Sequence, residues 1–398
     1  MYRGWPLLLL LLLFAASGCR FGAGNEQKIS SDTPLVSSTA TAVLHETTAT
    51  LEASPSPAAT GTATAAPTET AIPTTTATPT ETPTATATAT PEHPLMIEVM
   101  RRESYPGSDL LIERTLEPGE NYGRFIVSYL SEGNKIFALM TVPWGNMPDS
   151  GWPVIIFNHG YVRPDLYRST ERYMDYVDYF ARNGYIVFRS DYRGHGDSEG
   201  EAGGAYSSPN YTVDVLNGMA SVKAYPDADR ERIGMWGHSM GGHITLRSMV
   251  VSDEIKAGVI WAGVVGPHPD LFARALTPED PSHTPTPTST RWPTRWRTWL
   301  LRTFGSREDN PAFWDSISAN AYLEDISGPL QLHHATTDST VPVAVAEQLQ
   351  GQMAAAGRPS ELYLYEGDNH NIAVNFYTAM GRSLEFFDLH VKGVASGG

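Results

Sequence analysis

The stretch Arg232-Ile233-Gly234-Met235-Trp236-Gly237-His238-Ser239-Met240-Gly241, continued by Gly242-His243-Ile244-Thr245-Leu246-Arg247-Ser248-Met249-Val250, reads as a strand, a tight turn and a helix. Glycines two before and two after Ser239 leave room for a sharp turn that a Cβ would obstruct, which holds the serine hydroxyl out at the end of the strand. This is a nucleophile elbow, and Ser239 is its candidate nucleophile.

A serine hydroxyl attacks only when a base takes its proton and an acid orients that base. Elbow enzymes place the acid and then the histidine after the serine. Two turn-borne residues fit: Asp338, after the apolar run Leu330–Leu332, and His370, after Glu361–Tyr365. Parallel strands send their following loops to one edge, so both are expected beside Ser239. His333 and His334 precede the acid and read as packing or hydrogen-bonding residues. Asp368 shares the loop of His370 and reads as a supporting contact, while Asp315 and Asp325 read as solvated or capping carboxylates. The oxyanion of an acyl-transfer intermediate needs donors already in place. The backbone N–H of Met240 is one candidate, and that of Tyr161, in the loop Asn158-His159-Gly160-Tyr161, is the other. His159, ahead of the serine, is expected to brace that loop.

Outward from the elbow the pattern alternates. Residues 124–130 and 135–140 show period-two apolarity around Glu132-Gly133-Asn134, a hairpin signature. Val154–Phe157, Tyr185–Phe188, Ala257–Ala262, Leu330–Leu332 and Glu361–Tyr365 read as strands. Helices are expected where Met174, Val177, Phe180 and Ala181 recur at helical spacing, a segment that stops at Asn183-Gly184, at about 212–224, at 343–356 and at about 376–391. The expected architecture is therefore α/β, a mostly parallel central sheet flanked by helices and opened by an antiparallel hairpin. Residues 266–319 form a connection too long for this pattern and are expected to be a cap or lid inserted above the sheet.

These motifs carry a resemblance. Phe157-Asn158-His159-Gly160, Asp191-Tyr192-Arg193-Gly194-His195-Gly196-Asp197-Ser198, Gly237 to Gly242, Asp338 with Val341-Pro342, and Gly367 with His370 resemble the α/β-hydrolase superfamily. The branch resembled is that of the prolyl oligopeptidase, dipeptidyl and acylaminoacyl peptidase catalytic domains and their esterase relatives. It covers residues 110–391. Ala335 stands where that branch often has glycine, and nothing ahead of the body reads as the β-propeller that gates the large oligopeptidases. The resemblance implies acyl transfer to water through acyl-Ser239, with a small ester or a short peptide as substrate. An ester is favoured, because no Glu-Glu pair stands where dipeptidyl enzymes clamp an amine. A tethered hydrolase fold used only for binding is the reading from another class. The reading calls for no cofactor and no metal.

The rest of the 398 residues is not part of this body. Residues 20–93 are a Thr/Pro/Ala-rich tract with little to bury, expected to be a disordered tether ahead of a catalytic domain at 94–398. Arg3, the apolar run Leu7–Ala15 and the small residues Ala16-Ser17-Gly18 lead to the single cysteine, Cys19. That order resembles a bacterial lipoprotein signal, residues 1–19, in which Cys19 is lipidated. An exported protein, held on the membrane and facing the extracellular or periplasmic side, is the expectation. A lone cysteine excludes intramolecular disulfides and Cys-based zinc. The formal net charge is −16, of which the tether carries −5, so the body also repels polyanions and nucleic acid is excluded as an expected partner. In the insertion, Trp292, Trp296 and Trp299 with Arg291, Arg295, Arg297 and Arg302 form a basic aromatic strip, which is either the packing face of a helix or a contact for lipid or an acyl group.

Overall fold

The computed structural model describes residues 92–272 and 293–394, with side chains in the second stretch from Arg297 onward. Cys19, the tether and Trp292 lie outside the described residues, as does the side chain of Trp296.

Nine strands form one sheet: β1 (Leu111–Leu116), β2 (Tyr122–Ser131), β3 (Asn134–Pro143), β4 (Trp152–Asn158), β5 (Ile186–Ser190), β6 (Ala228–His238), β7 (Ala257–Trp261), β8 (Leu330–Ala335) and β9 (Ser360–Tyr365). Their spatial order is β1-β2-β3-β5-β4-β6-β7-β8-β9. The β1-β2, β2-β3 and β3-β5 pairs are antiparallel and the rest are parallel. This is the expected mixed sheet, with β1 as an added edge strand that is exposed along nearly its whole length.

The continuous apolar runs become strands because both sheet faces are covered. Val154 and Ile156 face one core with α3 (Asn210–Lys223), α4 (Met240–Val251) and α7 (Ala344–Ala355). Ile155 and Phe157 face the other, with α2 (Met174–Arg182) and α8 (Phe376–Phe387). Successive side chains of a strand point to opposite faces, so a doubly covered strand has no polar position to spare. The last helical run departs from expectation: α8 stops at Phe387, and Asp388–Lys392 continues as a wider turn closed by Gly393 at φ 73°.

A short helix α1 (Ile97–Arg102), unannounced by any periodicity, packs against α4. Leu95 joins Leu300, Phe313, Trp314 and Ile317 in a third, small core with residues of α5 (Pro293–Phe304) and α6 (Pro311–Ser316). The fully buried Arg247 of α4 ties this together, donating to the carbonyls of Ile317 (2.8 Å) and Leu95. Trp299 of the basic strip is half exposed and lies beside His93.

What positions the site is the order around β4. The chain leaves β4 for β5 on one side and returns to β6 on the other, so the loops after β4 and β6 flank one crevice at the carboxyl edge. In register, Asn158 pairs with Gly237.

Candidate active site

Ser239 sits between β6 and α4 at φ 56°, ψ −116°, a conformation that costs a non-glycine residue on the order of 1–3 kcal/mol and persists only when its surroundings impose it. They do. The N–H of Ser239 donates to Trp261 O (2.9 Å), and its carbonyl accepts from Gly242 (3.0 Å) and Val264 (3.1 Å). A Cβ on Gly237 would run into Gly241 O and Thr245 Oγ1, and one on Gly241 into Asn158 O, all well inside 3.0 Å. The helix can start this close to the neighbouring loop only because those two residues are glycine.

Asp338 and His370 meet. The His370 Nδ1–H donates to Asp338 Oδ2 at 2.7 Å, and the Asp338 side chain is fully buried. A carboxylate can only accept here, so the proton of the neutral ring is on Nδ1 and Nε2 is free to take another. Asp338 Oδ1 accepts from the N–H groups of Thr340 (2.8 Å) and Val341 (3.0 Å), and His334 Nε2 stands 3.3 Å from Oδ2. Burial pushes the carboxyl up, but hydrogen bonds from His334, His370 and Val341 outweigh it and hold it below the usual carboxylate range. His370 and Ser239 line one cavity of about 440 Å³ with Gly160, Tyr161, Tyr173 and His238. Among the described residues no direct hydrogen bond joins Ser239 to His370. Such contacts are often long until substrate tightens them.

Met240, at the start of α4, is buried directly behind the serine. Tyr161 lines the same cavity and is partly exposed. Tyr161, on the loop after β4, therefore reaches the cavity, while Met240 opens the helix next to Ser239 and is not among the described residues that line it. His159 lies under the loop, its ring stacked between Tyr167 (4.6 Å) and Tyr192 (4.2 Å) and bonded to Gly160 O (2.7 Å). Burial keeps it neutral. Asp368 does not touch His370; its carboxylate accepts from the backbone of Asn369, Val374 and Asn375 and so ties down the loop that carries the histidine. His333 is buried between Gln331 Oε1 and Tyr365 Oη, 2.7 Å from each, and His334 bonds Val341 O (2.9 Å). No described residue of the 266–319 insertion lines the cavity.

Two residues without an assigned role in the sequence complete the site. Tyr173 Oη accepts from the Gly160 N–H (3.0 Å) and lies 2.8 Å from His238 Nδ1, while His238 Nε2 lies 3.0 Å from His370 O. A carbonyl cannot donate, so His238 carries its proton on Nε2, its Nδ1 accepts, and the tyrosine hydroxyl donates to it. One chain of hydrogen bonds thereby links the loop after β4, the elbow and the loop of His370. Burial pushes His238 down to about 3 and Tyr173 up to about 12, so the chain stays neutral between those limits. Tyr173 had no periodic signal, being at φ 55° just ahead of α2. His238 is inside the elbow motif, but its partners are remote in sequence.

The motif Asp191–Ser198 is structural here. Arg193 pairs with the buried Asp214 (2.7 Å) and with Glu132 of the hairpin turn (2.9 Å), and Ser198 Oγ accepts from the Phe137 N–H (2.9 Å). Asp191 accepts from Tyr167 (2.8 Å) and Ser169, yet burial still raises its carboxyl to about 7.

Comparison with known proteins bears on this geometry. A family model described as serine aminopeptidase, S33, matches residues 153–302. Acylaminoacyl peptidase of Pyrococcus horikoshii superposes with a TM-score of 0.54 at 20% identity, over 70% of this chain and 43% of that one. The chain has the α/β-hydrolase fold. The acetyl xylan esterase of Paenibacillus sp. R4 superposes with a TM-score of 0.53 at 18% identity, over 73% of this chain and 92% of that one. Among curated proteins, an uncharacterised 31.7 kDa protein of Escherichia coli is 33% identical over 129 residues, 32% of this chain and 41% of the relative. This chain therefore spans about two fifths of the length of that relative and of the acylaminoacyl peptidase.

Proposed function

We propose that this α/β-hydrolase is a serine hydrolase that cleaves carboxylic esters through an acyl-Ser239 intermediate. The observation that carries the reading is the Asp338–His370 hydrogen bond facing a cavity shared with a strained Ser239. In this mechanism Ser239 Oγ attacks the ester carbonyl as His370 Nε2 takes its proton. The N–H groups of Met240 and Tyr161 receive the oxyanion, and His370 returns the proton to the departing alkoxide. Water, deprotonated by the same nitrogen, then releases the acid and restores the hydroxyl.

Ester is favoured over peptide by the cavity wall. A free amino terminus needs a carboxylate to receive it, and among the described residues no Asp or Glu lines the cavity. The likeness to an acetyl xylan esterase, over 92% of that chain, also supports an ester. The second reading, a prolyl oligopeptidase-like serine peptidase acting on short peptides, draws support from the matched family description and the acylaminoacyl peptidase likeness. A fluorophosphonate should label the protein and fail to label Ser239→Ala; equal labelling of both defeats the enzyme reading. Rates on p-nitrophenyl acyl esters of graded length beside aminoacyl and dipeptidyl amides decide the bond, and amide preference would reverse the ranking.

The address is proposed on sequence alone: export, lipidation at Cys19 and a membrane-held body on the Thr/Pro tract. Mass of the mature N-terminal peptide tests it, since an unmodified start at Arg20 or later removes the anchor.

A further inference from the structure

Among the described residues, Arg172 is the only formally charged side chain that lines the cavity of Ser239 and His370; the other lining residues are aromatic, aliphatic, small or neutral polar, or histidine. It is exposed while lining that cavity, and it makes no ion pair or hydrogen bond through its guanidinium among the described residues. Its place is built rather than incidental. Arg172 and Tyr173 are consecutive non-glycine residues at φ 47° and 55°, in the left-handed region that side chains avoid. The fully buried Arg189 holds this segment from below: its guanidinium donates to the carbonyls of Arg172 (2.7 Å), Glu171 (3.4 Å) and Ser169. From above, the Tyr173 hydroxyl is fixed on Gly160 and His238. A backbone strained and pinned on both sides delivers an uncommitted guanidinium to a cavity with no acid among its described lining residues, in a chain of formal net charge −16.

We propose that Arg172 forms a subsite for a carboxylate, so that the preferred ester carries an anionic group on its acyl or its alcohol part. The proposal rests on the serine hydrolase reading for the position of the scissile bond. A guanidinium meets a carboxylate through paired N–H donors, which gives orientation as well as attraction.

Two substrate pairs test it: p-nitrophenyl adipate against the same ester with its far carboxylate masked as a methyl ester, and 3-carboxy-4-nitrophenyl hexanoate against 4-nitrophenyl hexanoate. For each, the ratio of kcat/KM for the anionic member to that for the neutral member is measured in the parent, Arg172→Gln and Arg172→Lys. The ratio should fall by about fivefold or more in Arg172→Gln for at least one pair and recover in part in Arg172→Lys. A change under about twofold in both pairs overturns the subsite, twofold being the spread expected where no charge contact is lost. Hydrolysis that persists in Ser239→Ala would instead defeat the serine reading. The subsite then still has its own measurement: calorimetric binding of adipate monoanilide to Ser239→Ala should weaken about fivefold when Arg172→Gln is added, and equal affinity overturns the proposal.

Discussion

Replacing Tyr173 by Phe removes one oxygen from the chain that joins the three active-site loops. The ring would stay, packed against Phe157 and Tyr176 at centroid distances of 5.7 and 5.5 Å, so the change isolates the hydroxyl. Two hydrogen bonds go, to the buried Gly160 N–H and to the buried His238 Nδ1. Each is worth about 0.5–1.5 kcal/mol net, and the stranded donor at Gly160 adds about 1–3 kcal/mol, so about 2–6 kcal/mol of stability should be lost. For a body of this size that is about 2 °C per kcal/mol, a Tm lower by about 4–12 °C. The functional effect follows from position: Gly160 adjoins Tyr161, whose N–H is the proposed second oxyanion donor. Losing such a donor outright costs about 100- to 1000-fold in kcat, and loosening its loop should cost about 10- to 100-fold, with KM changed little. Calorimetry and steady-state kinetics on p-nitrophenyl butyrate read both quantities. A kcat within twofold of the parent, alongside the lower Tm, would refute the idea that this hydroxyl positions the oxyanion loop. An unchanged Tm would refute the hydrogen-bond chain itself.

Asp338→Asn should lower kcat by about four orders of magnitude, because the amide no longer holds the required tautomer of His370, while fluorophosphonate labelling slows in parallel. Since the Asp338 carboxyl is held below its unfolded value, its contribution to stability is present above about pH 4 and lost as pH falls further. The stability gap between parent and variant should therefore close on acidification, and a gap that widens would contradict the assignment. Asp191 has the opposite sign. Raised to about 7, it favours the folded state below its unfolded value and loses that advantage as pH rises through about 7, an effect on the order of 4 kcal/mol. Urea unfolding of Asp191→Asn between pH 4 and 8 should show a flatter profile than the parent, and parallel profiles would show that the carboxyl is not neutralised by burial. Gly241→Ala drives a Cβ into Asn158 O and should cost about 3 kcal/mol or more, so a thermal midpoint like the parent's would mean the elbow is wider than described.

Much of the fold was legible because its strands are buried on both faces. Val154–Phe157, Ile186–Phe188 and Ala257–Trp261 have no polar alternation to confuse, and each ends at a glycine, serine or asparagine turn or runs into one within a few residues. Ser239, Asp338 and His370 were legible as candidates for a related reason: each stands just beyond such a strand, in a chain order that elbow chemistry prescribes. α1 and β1 were not, since a six-residue helix and an exposed edge strand leave no periodic trace. Boundaries moved where a neighbour decided them. β6 begins at Ala228 because that residue pairs with Trp152 across an irregularity in the sheet, and the final helix widens after Phe387, where Val391 enters the core.

The sequence by itself determined the elbow, the sheet that supports it and a short set of acids and histidines that could serve Ser239. It did so because glycine spacing, apolar runs and strand-end positions are local signals. Tertiary structure alone decided that the His370 Nδ1–H meets the Asp338 carboxylate, that Asp368 holds a loop, and that Tyr173 and His238 join three loops. It also decided that Arg172 opens on the cavity and that the described part of the insertion does not. Those are relations between residues far apart in the chain, and only the packing of β4, β6, β8 and β9 into one carboxyl edge brings them within hydrogen-bonding distance.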